Sequence, residues 1–217
     1  MTELDVTPEL AEVLAQLGKI SSGTKDLRGD TRDRLLDAAI ELFATQGLGG
    51  TSIRKLSAAV GISSAGLYSH FSSKEAVLGA AMARAYKLFL EYVLAPANFR
   101  NMQLDDLLDL CRRHMEYQIR FRTQATSSDQ LLAGATAEQY LDEDTHITIS
   151  RARTLYFNRV RNAVAEVRGR SPLDASFEAE AILTLCDTIA IGPRKHSVDE
   201  TVIDDYLTLI KRMLLVA

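Results

Sequence analysis

The chain has 217 residues, of which 47% are apolar and 25% charged, with four prolines and no tryptophan. That is enough apolar material for a sizeable core, and scarce proline beside frequent alanine and leucine favours helices over strands. A formal net charge of −4 excludes a generally basic surface, so any nucleic-acid contact must come from a local patch.

In chain order, Thr7 and Pro8 suit the cap and first turn of a short helix, with Leu10, Val13, Leu14 and Leu17 on one face before Gly18. Lys19 to Asp30 reads as a flexible linker by composition, and residues 1–30 as an appendage to the fold. From Thr31 the residues Leu35, Leu36, Ala39, Ile40, Leu42 and Phe43 form a helical stripe that ends at Gly47. Thr51 and Ser52 can cap a second helix, Ile53 to Val60, before Gly61. Lys74 then begins a long helix to about Leu94, halted by Pro96. Further helices are expected over 104–121, 126–140, 145–168, 174–191 and 198–215, with breaks at Gly169 to Pro172 and at Gly192-Pro193. The chain therefore reads as all-α.

The stretch "GISSAGLYSHFSSKE", Gly61 to Glu75, carries the most chemistry. Two short helices around a glycine-containing turn outline a helix-turn-helix. Gly61 fits the turn, Ser63 can cap the second helix, and Ser64, Ala65 and Gly66 are small enough to enter a major groove about 12 Å wide. Leu67 and Phe71 can anchor that helix on the stripe behind it. Tyr68 and His70 project to the flanks, where a hydroxyl and an imidazole suit phosphate oxygens. Lys74, at the start of the next helix, can hold the same backbone.

The order of these residues resembles the DNA-binding signature of the TetR family of bacterial regulators: Thr51, Ile53, Leu56, Gly61-Ile62-Ser63, Leu67-Tyr68, His70-Phe71 and Lys74-Glu75. Ser57 stands where alanine is usual, and Ser64-Ala65-Gly66 replaces the commoner recognition run. The resemblance implies a homodimer, with a three-helix DNA-binding domain over 31–76 and a larger helical domain over 77–217 that dimerises and encloses a ligand. It implies a ligand-responsive regulator, read as a repressor, that a small-molecule effector releases from a near-palindromic DNA operator. An acyl-coenzyme A thioester and a neutral aromatic compound remain open as effector classes. Thr51, Ser52, Ser63, Ser64, Ala65, Gly66, Tyr68, His70 and Lys74 are the expected DNA-facing residues.

In the larger domain only placement guides the choice. His114 and Gln118 fall beside the apolar stripe of 104–121, with Arg122 one turn on. Arg153 lies near the apolar face of Ile149, Tyr156 and Val160. These four, with Tyr156 and Phe157, are the candidate pocket, and Arg153 its expected polar anchor. Phe177, Ile182, Leu185, Ile189, Ile203, Tyr206, Leu207, Ile210, Met213 and Leu214 offer an expected dimer interface over the final two helices. Two alternatives stand: a DNA-binding regulator without a small-molecule effector, and a small all-α enzyme with His114 as base.

Metal and catalytic readings find little purchase. Cys111-x-x-His114 lacks a second ligand pair, and no P-loop, Gly-x-Ser-x-Gly or His-Glu-x-x-His occurs. No cofactor is expected. Two distant cysteines make no disulfide framework, and no run nears the roughly 18 apolar residues of a membrane span. Met1 to Gly18 lacks a basic start followed by an apolar run. A cytoplasmic location without membrane attachment is the expectation.

Overall fold

In the computed structural model of the protein, the described residues are 7–22, 29–97, 99, 101–121, 131, 138–189 and 200–215. Among them the regular structure is helical, and no strand occurs. The helices are α1 (Pro8–Ser22), α2 (Gly29–Gly50), α3 (Ile53–Ala59), α4 (Ser64–Tyr68), α5 (Lys74–Val93), α6 (Leu104–Arg120), α7 (Glu143–Arg168), α8 (Ser176–Thr188) and α9 (Glu200–Leu215), with one 3₁₀ turn at Glu138–Tyr140. The expected helix over 126–140 lies mostly outside the described residues. No helix among those described is long and apolar enough to cross a membrane.

The chain divides into two compact units. The described residues between 11 and 88, with 138–151, form the first; 7–10, 89–121 and 152–215 belong to the second.

Local chemistry sets the helix limits in the first unit. Gly47 adopts φ 68° and breaks α2, as its position after the apolar stripe predicts. The Ser73 hydroxyl accepts from the Ala76 amide at 3.1 Å and starts α5. Asp142 caps α7 by accepting from the Thr145 amide at 2.9 Å and its hydroxyl at 2.8 Å. Burial opposes ionisation of Asp142, yet these hydrogen bonds hold its carboxyl below the usual range. The stripe of α2 is buried at Leu35, Leu36, Ala39, Ile40 and Phe43, as are Leu56 of α3 and Leu67 of α4. Helix α3 packs on both α2 and α4. Arg84 of α5 bridges Asp33 and Asp37 of α2.

Helix α1 departs from the sequence expectation in length and in burial. It continues past Gly18 to Ser22, and Leu10, Val13 and Leu17 keep only 3%, 1% and 0% of their surface. Within the first unit, Arg151 of α7 donates to Glu12 and Gln16 at 3.1–3.2 Å. The α1 segment is therefore packed, and its treatment as an appendage is corrected. Its apolar face gains more from burial than a short helix can lose by being ordered. The expected linker at 23–28 lies outside the described residues.

In the second unit α6 packs against α8 and α9, which also touch each other. Ile182, Ile189, Ile203, Leu207, Ile210 and Leu214, expected between two copies, are buried within the single chain. Of the expected interface set Phe177 stays open, at 79% exposure, with Leu185, Tyr206 and Met213 half-buried. The apolar area of the last two helices covers α6 first.

Leu17→Ala is expected to lower the unfolding free energy by about 2–4 kcal/mol, the cost of a core cavity. An unchanged urea midpoint would return α1 to the status of an appendage.

Candidate functional site

The first unit builds a helix-turn-helix from backbone chemistry. At the end of α3 the Ile62 amide donates to the Ser57 carbonyl at 3.0 Å, and the Gly61 amide to Ala58 at 3.2 Å. This paired closure requires a left-handed residue at its centre, and Gly61 supplies it with φ 73°. Ser52 caps α3 by accepting from the Lys55 amide at 3.2 Å, and Ser63 caps α4 by accepting from Gly66 at 2.9 Å. Leu67 and Phe71 turn inward at 0% and 5% exposure, while Tyr68 of the same helix is 56% exposed. Ala65 and Ser69 are also exposed, with Ser64, Gly66 and His70 half-buried. The outward surface of α4 is thus small and polar, with one aromatic at its edge.

Four residues expected to face DNA have internal duties, Ser52 among them as the cap of α3. Thr51 is 1% exposed, and its hydroxyl lies 2.9 Å from the Gly47 carbonyl and 3.1 Å from that of Leu42. It closes the end of α2 and cannot reach a phosphate. The Lys74 amine donates to the Leu48 carbonyl at 2.7 Å, which ties the start of α5 to the same break. Ser63 spends its hydroxyl oxygen on the α4 cap. Sequence reasoning passed over Arg54, an exposed cation on α3 beside this surface. Its signal was only its place one residue into a capped helix.

The second unit holds a buried polar cluster. His114 of α6 is 2% exposed; its Nδ1 lies 2.8 Å from the Tyr156 hydroxyl of α7, and its Nε2 lies 2.9 Å from Asp187 Oδ1 of α8. Burial, then the neighbouring Cys186 and Cys111, pushes the Tyr156 phenol well above its ordinary pKa, so it keeps its proton. In the tautomer that carries its proton on Nε2, the phenol donates to Nδ1 and Nε2–H donates to Asp187. Gln118 adds a donor to Asp187 at 3.2 Å. Phe89 packs its ring edge-on against His114, Tyr117 and Tyr156, with centroids 4.9–5.2 Å apart. The Asp187 side chain is 48% exposed, so this chain of hydrogen bonds opens to solvent at its carboxylate.

Of the candidate pocket residues, the structure brings together His114, Gln118 and Tyr156. Arg153 is exposed, and its expected role as a buried anchor is corrected: its helical angle carries it past the apolar edge. Phe157 is half-buried, with the Arg161 guanidinium 5.8 Å from its ring centre. Arg122 lies outside the described residues. Asp187 and Phe89 complete the cluster and were not in the expected set. Asp187 comes from a different helix, and nothing local marks its partner. An open groove of about 360 Å³ lies elsewhere in this unit, lined by Asp105, Asp109, Arg112, Asp204, Thr208 and Lys211. Among the described residues no cluster of metal-binding side chains occurs.

Residues 35–81 match the pattern of the bacterial regulatory proteins of the tetR family. Over 63 residues the chain is 32% identical to the negative transcriptional regulator of the biofilm operon, IcaR, of Staphylococcus epidermidis, covering 29% of this chain and 34% of that protein. Over 47 residues it is 49% identical to the transcriptional repressor KstR2 of Rhodococcus jostii, covering 22% and 23%. The matched region thus spans about a third or less of these relatives' length. Across the fold, the chain is similar to AibR in complex with isovaleryl coenzyme A and operator DNA, with TM-score 0.66, 25% identity, and 81% and 95% coverage. It also shares its fold with the TetR family regulator PfmR of Thermus thermophilus, at TM-score 0.65, 23% identity, and 82% and 97% coverage.

Lys74→Ala is expected to cost about 1–2 kcal/mol of stability in urea unfolding, because the Leu48 carbonyl loses a charged donor. Unchanged stability would mean the amine is free for a phosphate.

Proposed function

We propose that this chain, whose residues 35–81 belong to the tetR family of bacterial regulatory proteins, is a transcriptional repressor that reads duplex DNA with α4. The observation that carries the reading is the closed turn at Gly61 between two serine-capped helices, with Leu67 inward and Tyr68 outward. Ser64, Ala65 and Gly66 let the helix approach base edges, while Tyr68, His70 and Arg54 meet phosphates. Ser52 and Ser63 hold the shape of the motif. Residues 31–76 act as the DNA-binding domain and 77–217 as the dimerisation and effector domain.

A homodimer supplies two recognition helices. The exposed apolar residues Phe177 on α8 and Leu209 and Leu215 on α9, at 79%, 47% and 62% exposure, support these helices as its interface. The operator is then a near-palindrome.

The effector is read at His114, Gln118, Tyr156 and Asp187. The acyl-coenzyme A class is supported by the similarity to AibR, and the aromatic class by the rings of Phe89, Tyr117 and Tyr156. A second reading, regulation without a small molecule, is favoured by Phe89 itself, whose ring fills the space against His114. The enzyme alternative is set aside. The related proteins are regulators, and both ring nitrogens of His114 are already engaged.

Selection from a random duplex library is expected to return a near-palindromic sequence. Arg54→Ala should weaken binding to it and to unrelated duplexes alike, and lower the magnitude of the salt slope by about 0.9. Selection that returns no sequence, with no salt-dependent binding at all, would refute the DNA-binding reading. For the effector, Asp187→Asn is expected to leave DNA affinity unchanged and to shift the release midpoint of any compound that co-purifies. An unmoved midpoint would remove Asp187 from the effector site, and no release by any co-purifying compound would favour control without a small molecule.

A further inference from the structure

Arg32, near the start of α2, is the most strongly buried charged side chain among the described residues, at 7% exposure. Its Nε donates to the Ser21 carbonyl at 2.7 Å, at the last turn of α1. Its guanidinium carbon lies 4.6 Å from the ring centre of Phe71. Nη1 and Nη2 are both buried without a hydrogen-bond partner among the described residues. All three residues lie within the first unit.

That arrangement is costly for a residue with a purely structural task. Leaving two guanidinium nitrogens dry and unpartnered forfeits their hydration, and an apolar chain of similar length would fill the space without that loss. What an apolar chain cannot do is hold the free carbonyl at the end of α1 while presenting a flat cation to an aromatic face. Phe71 directly follows the recognition segment: its amide donates to the Leu67 carbonyl at 3.0 Å, and that of Ser69 to Ala65 at 3.1 Å. The position of the Phe71 ring therefore decides where the C-terminal end of α4 rests. Helix α1 is itself held by Arg151 through Glu12 and Gln16, so the Ser21 carbonyl is a fixed point.

We infer that Arg32 is a positioning residue for DNA recognition, which fastens the C-terminal end of the recognition helix to helix α1 through the Ser21 carbonyl and the Phe71 ring. This rests on the DNA-binding reading of α4. It adds a second element, α1, to the parts that orient that helix, although α1 lies outside the matched 35–81 segment.

The test uses the full chain carrying Arg32→Met, which keeps length and apolar contact but removes the charge and the donor. In the DNA-free protein, amide exchange at Leu67, Ser69, His70 and Phe71 is expected to accelerate on the order of tenfold, with the α2 amides unmoved. Affinity for the selected duplex should fall on the order of tenfold while the salt slope stays the same, because no phosphate contact is lost. Unchanged exchange at those four amides overturns the inference. So does a slope reduced by about 0.9, which makes Arg32 a phosphate ligand instead. Should Arg32→Met fail to fold, Arg32→Gln carries the same exchange measurement. It keeps a donor for Ser21 but no charge over Phe71, and an unchanged pattern again refutes the role. A native chain that binds no duplex refutes the DNA-binding reading alone, since the exchange measurement needs no DNA.

Discussion

The helix-turn-helix of the first unit depends on how α2 ends. The turn at Gly47, at positive φ, interrupts the helical ladder of α2. Three side chains from later in the sequence donate to carbonyls around this break. Thr51 reaches Leu42 and Gly47, Lys55 reaches Gly50 at 2.8 Å, and Lys74 reaches Leu48. Each donor belongs to the segment that must be aimed. Thr51 precedes α3, Lys55 lies in it, and Lys74 opens α5, so one break in one helix fixes the exits of two others. The two lysines also sit where the helix dipole is negative, which adds to each hydrogen bond.

On the proposed DNA-binding reading, the consequence is a recognition surface with few side chains of its own. Serine, alanine and glycine at the start of α4 bring the backbone close to a groove but offer little base-specific hydrogen bonding. Cations near the surface are partly committed to shape. Affinity then leans on how well α4 is oriented, which raises the importance of residues behind it. Leu67 and Phe71 hold it from within, and Arg32 holds Phe71.

The other unit uses polarity differently. A buried phenol and imidazole and a half-exposed carboxylate form a chain of donors and acceptors, and the Phe89 ring packs edge-on against the rings of His114 and Tyr156. Such a network is stable only when complete, because any member left alone loses its hydration without compensation. A ligand that offers its own acceptor or donor to His114 or Asp187 can replace a member and reorganise the packing around Phe89. That makes the cluster a candidate switch rather than a mere core.

What the sequence made legible follows from range. The fold class and α2 through α5 were readable because Gly47, Ser52, Gly61 and Ser63 act on neighbours within four residues, and apolar spacing does the rest. Lys74 was placed on the correct helix, but its bond to the Leu48 carbonyl was not foreseen, since that carbonyl lies 26 residues away and carries no signal in residue type. Thr51 suffered likewise. His114, Gln118 and Tyr156 were singled out because polar residues on apolar faces stand out, and the structure brings them together. Asp187 was missed because an acid beside a buried cysteine looks like an ordinary helix surface residue. Apolar area on α8 and α9 was real but ambiguous, as the same residues suit a partner copy or α6. Only the packed chain distinguishes Ile182 and Ile210, buried against their own unit, from Phe177, left open.

The most direct test of α4 as the recognition element is an amide exchange footprint of the full chain with and without its selected duplex. Protection concentrated at the starts of α3 and α4, over 52–55 and 63–70, with α8 and α9 unaffected beyond any dimer protection already present, is the expected result. Protection confined to other helices, with 63–70 exchanging as in the free protein, would contradict it.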